Sequence, residues 1–132
     1  MMTEVTCAVI VRDGKVLATQ RSERMPHPLK WEFPGGKIKV GESPEQCIKR
    51  EIIEELGIKI KVVQLFPTVI HSYEKSSIKL IPFLCSMMDE KISLREHKHY
   101  EWVFLSDLNT IDWLEADRKI VEKLQLMNSI SF

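Results

Sequence analysis

The segment SPEQCIKREIIEELG, residues 43–57, has the start and stop of a helix written into it, and it places three glutamates on one face. Ser43 suits the N-cap, Pro44 suits the first turn, and Gln46 stands where a capping box puts its second partner. Gly57 is a natural stop. Between them side chains advance by about 100° per residue, so Ile48, Ile52, Ile53 and Leu56 share a broad arc expected to face the core. Glu51, Glu54 and Glu55 share another arc, at spacings that make side chains neighbours. Glu45 reads as a first-turn charge beside the cap.

Three glutamates alone ordinarily make a solvated acidic face. Here like charges repel at close spacing, and they lie near the helix C-terminus, where the dipole disfavours anions. Local physics opposes the cluster unless a cation offsets it. A hard divalent ion with oxygen ligands, Mg²⁺ or Mn²⁺, would do so.

Around this helix the pattern is mostly strand. Residues 5–11 (VTCAVIV) are apolar and β-branched, Asp13-Gly14 signals a hairpin, and residues 15–20 read as the returning strand. Residues 21–30, with Pro26 and Pro28, read as a loop. Strands are expected over 58–66, 68–74, 77–87 and 99–105, with a turn near Ser76-Ser77 and a polar loop over 89–98. Residues 113–127 carry Ala116, Ile120, Val121, Leu124 and Met127 at helical spacing. Neither a repeat nor a linker is visible. A mixed α/β domain, with strands between two main helices, is the expected class.

A chain of 132 residues with 44% hydrophobic content fits one domain with a real core. Its 19 basic and 19 acidic residues balance, which speaks against a broad basic face for duplex nucleic acid. A small phosphorylated ligand needs only a local positive site. The longest apolar runs are strand-sized, so neither a membrane span nor a signal peptide is expected, and the expected compartment is the cytoplasm. Cys7, Cys47 and Cys85 form no C-x-x-C pair; buried, reduced thiols are expected rather than zinc ligands. His27, His71, His97 and His99 show no metal-binding spacing. Trp31, Trp102 and Trp113 read as packing residues, and His71 and Tyr73 share one face of a strand.

The acidic helix ends a longer motif. Gly36, five residues, Glu42, seven residues, Arg50-Glu51-Ile52, one residue, Glu54-Glu55, one residue, Gly57-Ile58: this spacing matches the signature of the Nudix hydrolases at every fixed position. The stretch LKWEFPGGKI resembles the MutT branch of that family, as does the order of elements from Val5 to about Leu124. The resemblance implies a Nudix-type α/β/α sandwich, a mixed β-sheet between helices, as a single domain over residues 1–132. It implies hydrolysis of a nucleoside diphosphate linked to another group, with water and Mg²⁺, or Mn²⁺ in its place. The leading expectation is a nucleoside triphosphate cut to monophosphate and pyrophosphate, including oxidised nucleotides such as 8-oxo-dGTP. A (d)CTP or modified-cytidine pyrophosphohydrolase stands beside it. So do a hydrolase of ADP-ribose or a dinucleoside polyphosphate and a non-catalytic nucleotide-sensing module, though the intact motif argues against sensing. The partner implied is a small nucleotide, with neither nucleic acid nor membrane, for a monomer or homodimer.

By the same resemblance Glu51, Glu54 and Glu55, with the carbonyl of Gly35, would hold metal. Arg50 would orient Glu51 through a charge-assisted hydrogen bond. Glu96, in the loop before YEWVFL, would approach the metal from outside the helix. The general base stays open among Glu51, Glu54 and Glu96. Glu42 would lie near the metal or support its loop. Lys37 would meet a phosphate, Arg21 would contact the nucleotide, and Phe33 would stack in the base pocket. Tyr73 falls where some dinucleoside-polyphosphate hydrolases keep a tyrosine. Asp117 falls where MutT proteins carry an asparagine that reads the oxidised purine. A carboxylate only accepts hydrogen bonds unless protonated, whereas an amide does both, so this departure points away from strict 8-oxo-guanine reading.

Overall fold

A computed structural model describes residues 2–127 and 129–130. The expected hairpin is β1 (Met2–Arg12) and β2 (Lys15–Gln20), turned through Asp13 and Gly14, both with positive φ. Then follow β3 (Trp31–Glu32), β4 (Gly35–Lys37), α1 (Pro44–Leu56), β5 (Ile60–Leu65), β6 (Val69–Ser72), β7 (Ser77–Met87), β8 (His99–Phe104), a 3-10 helix (Leu105–Thr110) and α2 (Glu115–Gln125). The very short β3 and β4 and the 3-10 helix have no counterpart among the expected elements. The second helix is shorter at both ends than expected, so Trp113 and Leu114 precede it.

All eight strands belong to one sheet with β1 at its centre. It runs parallel to β7 and antiparallel to β2, and the other pairings are antiparallel, so the sheet is mixed as expected. Successive residues of β1 point to opposite faces. Cys7, Val9 and Val11 pack with Ala116, Ile120, Val121 and Leu124 of α2. Ala8 and Ile10 pack with Ile48, Ile52 and Leu56 of α1. A helix therefore covers each face, which is the α/β/α sandwich. Each fully buried Ile or Leu on these faces contributes roughly 1.5–3 kcal/mol of transfer free energy.

Both signals at the ends of α1 appear as geometry. Gln46 N donates to Ser43 Oγ at 3.1 Å, and Ser43 N donates back to Gln46 Oε1 at 2.9 Å. Gly57 closes the helix at φ 67°, its N–H donating to Ile53 O. One expectation fails here: Ile53 is 45% exposed and turns away from the core. The sheet meets α1 along Ile48, Ile52 and Leu56, a seam narrower than the arc drawn from the wheel, and Ile53 falls outside it. No helix among the described residues is long and apolar enough to cross a membrane.

Candidate active site

The glycines of β4 bring the site together. Gly36 pairs with Thr6, and Gly35 with Cys7, on the central strand. A Cβ on Gly35 would come 2.6 Å from Cys7 Cα, closer than atoms pack. A Cβ on Gly36 would come 2.6 Å from Glu51 Oε2. Backbone thus forbids a side chain at Gly35, while one at Gly36 would displace the carboxylate that α1 lays against the strand.

Arg50 organises the acids of α1. Its Nε and Nη2 donate to the two oxygens of Glu42 at 2.6 and 2.9 Å, a bidentate pair. Its Nη1 donates to Glu51 Oε1 at 2.9 Å and to Glu54 Oε2 at 3.1 Å. Nη2 also donates to Lys37 O at 3.3 Å. The Arg50 hydrogen bond, helped by the Lys39 N–H, holds Glu42 down to about 2, and Glu42 in turn raises Arg50. Glu42 thus supports the loop and faces Arg50. The side chain of Lys37 is exposed at the end of β4.

Glu55 differs from its neighbours: it is buried, while Glu54 is exposed. Burial, then the Glu51 hydrogen bond and the charges of Glu32, Glu51 and Glu96, push its carboxyl up to about 10. Without a cation, Glu55 therefore keeps its proton at neutral pH. Glu96 is exposed, and its loop is pinned to the end of α1. Ser93 N donates to Leu56 O and Arg95 N to Glu55 O, while Arg95 Nη1 reaches Ile53 O at 3.4 Å. These contacts satisfy carbonyls that the helix end leaves open. They also bring a cation to the negative end of the dipole, where α1 has none of its own.

Among the described residues no three His, Cys, Asp or Glu side chains converge closely enough, as they stand, to enclose a cation. Arg50 draws Glu51 and Glu54 to itself. The donor set still fits a hard divalent ion. Its side-chain donors are all carboxyl oxygens, Gly36 leaves the room Glu51 needs, and the Glu51–Glu55 contact is one that a cation would relieve.

Beside this face lies a cavity of about 130 Å³ lined by Glu32, Phe33, Gly35, Tyr73 and Asp117, with Thr6, Cys7, Leu80 and others. A larger one, about 440 Å³, lies between β6 and α2 and shares none of these residues. The smaller one reaches the acidic helix through Gly35, whose neighbour Gly36 lies against Glu51, and this makes it the candidate binding cavity. Phe33 is buried and stacks on Trp113 at 4.6 Å, so it is both core and cavity wall. Tyr73 meets His71 edge-on at 4.7 Å. Asp117 is buried, and its Oδ2 accepts from Phe33 N at 2.9 Å. Burial, then the charge of Glu32, pushes Asp117 up to about 8. It is thus held neutral, and like an amide it can both donate and accept, which lessens the departure seen in the sequence.

Arg21 stands on the same side, where Nη1 donates to Glu32 Oε1 at 2.7 Å and Nε to Pro26 O. Glu32 and His97 were not singled out by the sequence. Glu32 Oε2 lies 2.7 Å from His97 Nε2, and His97 is buried. The signal available for Glu32 was an acid set between the aromatics Trp31 and Phe33. Cys7, Cys47 and Cys85 are free and buried, as expected.

Comparison with known proteins agrees with this geometry. The NUDIX domain family matches residues 2–124. A protein of Buchnera aphidicola (subsp. Schizaphis graminum) named 8-oxo-dGTP diphosphatase is 33% identical over 125 residues, covering 95% of each chain. A protein of Escherichia coli named CTP pyrophosphohydrolase is 36% identical over 130 residues, 97% of this chain and 95% of its own. The crystal structure of a MutT protein from Methanosarcina mazei superposes with a TM-score of 0.85 at 26% identity, covering 95% of this chain and 94% of its own.

Proposed function

The chain belongs to the NUDIX family and is a nucleotide pyrophosphohydrolase of it; from that premise we propose that it converts a nucleoside triphosphate to monophosphate and pyrophosphate, using Mg²⁺, with Mn²⁺ as a substitute. The observation that carries this reading is that Gly35 lines the cavity walled by Phe33 and Asp117 while the next residue, Gly36, lies against Glu51 of α1. Such a cavity suits a base, and the carboxylates of α1 would suit a hard divalent ion beside it.

Glu51, Glu54 and Glu55 would hold the ion with the Gly35 carbonyl, and Glu96 would approach it from its pinned loop. Such an ion would supply charge to offset that building on the phosphates and would acidify a bound water. Arg50 fixes Glu51, Lys37 meets a phosphate, Arg21 contacts the nucleotide, and Phe33 and Asp117 receive the base. One of Glu51, Glu54 and Glu96 takes the proton of the attacking water. The single domain spans residues 1–132. It works as a monomer or homodimer in the cytoplasm, where its free, buried thiols suit reducing conditions.

Two substrate readings carry specific support. Oxidised purine triphosphates such as 8-oxo-dGTP are favoured by the Buchnera relative's name and by a neutral Asp117 that hydrogen-bonds as asparagine would. Cytidine triphosphates are favoured by the Escherichia coli relative, at 36% identity. The deciding experiment is kcat/KM for nucleoside monophosphate release across 8-oxo-dGTP, dCTP, 5-methyl-dCTP and ADP-ribose with Mg²⁺, with pyrophosphate as the second product expected from the triphosphates. The proposal expects 8-oxo-dGTP or a cytidine triphosphate to lead. Preference for ADP-ribose would overturn it.

A further inference from the structure

Among the described residues three buried side-chain atoms lack a hydrogen-bond partner: Glu55 Oε1, His71 Nδ1 and His97 Nδ1. Two of them face each other, with His97 Nδ1 3.7 Å from Glu55 Oε1. Each buried polar atom left unpaired costs roughly 1–3 kcal/mol, so two such atoms opposed in one place call for a role. The His97 side chain is 1% exposed and cannot turn to water.

Its ring is fixed from the other side. Nε2 lies 2.7 Å from Glu32 Oε2, and the other oxygen of Glu32 is held by Arg21. The backbone around it is fixed as well: Arg95 N donates to Glu55 O, and Lys98 N donates to Gln20 O. With Nε2 committed to Glu32, ring geometry leaves Nδ1 directed to Glu55. One proton between Nδ1 and Oε1 satisfies both atoms, and reaching hydrogen-bond length takes a shift of only about 0.5 Å.

We infer that His97 is a positioning residue that holds Glu55 on Nδ1 and Glu32 on Nε2, tying a metal-facing carboxyl to the wall of the nucleotide cavity. The inference rests on the proposed reading of Glu55 as a metal ligand. With Oε1 held by the ring, the carboxyl loses its free rotation, and its other oxygen is offered in one direction. The chain Arg21–Glu32–His97–Glu55 then links the group proposed to touch the nucleotide to the group proposed to hold the ion.

The two ring nitrogens can be tested apart. An asparagine side chain places an amide nitrogen near the position of Nδ1, while a glutamine reaches toward Nε2. Mn²⁺ binding to the nucleotide-free protein, followed by electron paramagnetic resonance, reads the metal face without turnover. Losing an orienting partner of a metal ligand typically costs 10–100-fold in affinity. His97→Asn is expected to bind Mn²⁺ within about 3-fold of wild type, and His97→Gln at least about 10-fold more weakly. His97→Ala should behave as the glutamine variant does; if it fails to fold by circular dichroism, the Asn and Gln pair decides. Wild-type Mn²⁺ affinity in folded His97→Gln would overturn the inference. So would equal weakening in the Asn and Gln variants, which would leave His97 a packing residue. Failure of wild-type protein to bind Mn²⁺ would instead overturn the metal-site reading beneath it.

Discussion

Asp117→Asn should make this protein more stable, and increasingly so as pH rises. In the unfolded chain the carboxyl ionises near its ordinary value of 3.8, while in the folded chain burial beside Glu32 holds its proton to about 8. Between those values the folded state binds more protons than the unfolded one, so stability falls with rising pH. One group contributes about 1.4 kcal/mol per pH unit in that window, or about 3 kcal/mol between pH 5 and 7.5. An asparagine keeps an oxygen for the Phe33 N–H, which Asp117 Oδ2 now accepts at 2.9 Å, and has no proton to lose. For a chain of this size the difference corresponds to roughly 10 °C in Tm. The assay is thermal melting of both proteins in EDTA across pH 5 to 8. Glu55 adds a slope common to both, so the difference between the curves isolates Asp117. The asparagine variant should already be the more stable at pH 5, by about 1.6 kcal/mol, and the gap should widen steadily above it. Parallel curves would refute the argument that Asp117 is buried with its proton.

Glu55→Gln should raise the Tm of metal-free protein at pH 7.5, since it removes a carboxyl whose proton is held to about 10; the same change should lower turnover by on the order of 10²-fold or more, seen in steady-state rates with Mg²⁺. Gly36→Ala drives a Cβ to 2.6 Å from Glu51 Oε2, and because a side-chain end can swing away, kcat should fall roughly 10–100-fold with little change in Tm. Gly57→Ala puts a Cβ at φ 67°, 3.0 Å from Arg95 Nη2, so chemical denaturation should show a loss of about 1 kcal/mol.

The parts of this fold that the sequence announced are those decided locally. The ends of α1 are set by Ser43, Gln46 and Gly57, each acting within a few residues of itself. The hairpin of β1 and β2 turns on Asp13-Gly14. By contrast β3 and β4 are two and three residues long and exist because β2 and β1 lie beside them. Ile53 was misplaced because a helical wheel shows periodicity but not the width of the facing surface. The acidic face of α1 was legible from spacing, and the Asp117 position from resemblance. Asp117 stands three and four residues before Ile120 and Val121, which already put it on the buried stripe of α2. What stayed hidden was tertiary. Glu32 and His97 are 65 residues apart, and only the pinning of the 93–98 loop to α1 and β2 joins them.

The acids of α1 are proposed to serve a pyrophosphohydrolase. The most direct measurement is the product released from a nucleoside triphosphate, with Mg²⁺ or with EDTA, by wild-type protein and by folded Glu54→Gln. Wild type with Mg²⁺ should give monophosphate and pyrophosphate in equal amounts. Release should vanish in EDTA and fall at least about 100-fold in Glu54→Gln. Orthophosphate as the product, or undiminished release from Glu54→Gln, would contradict that reading.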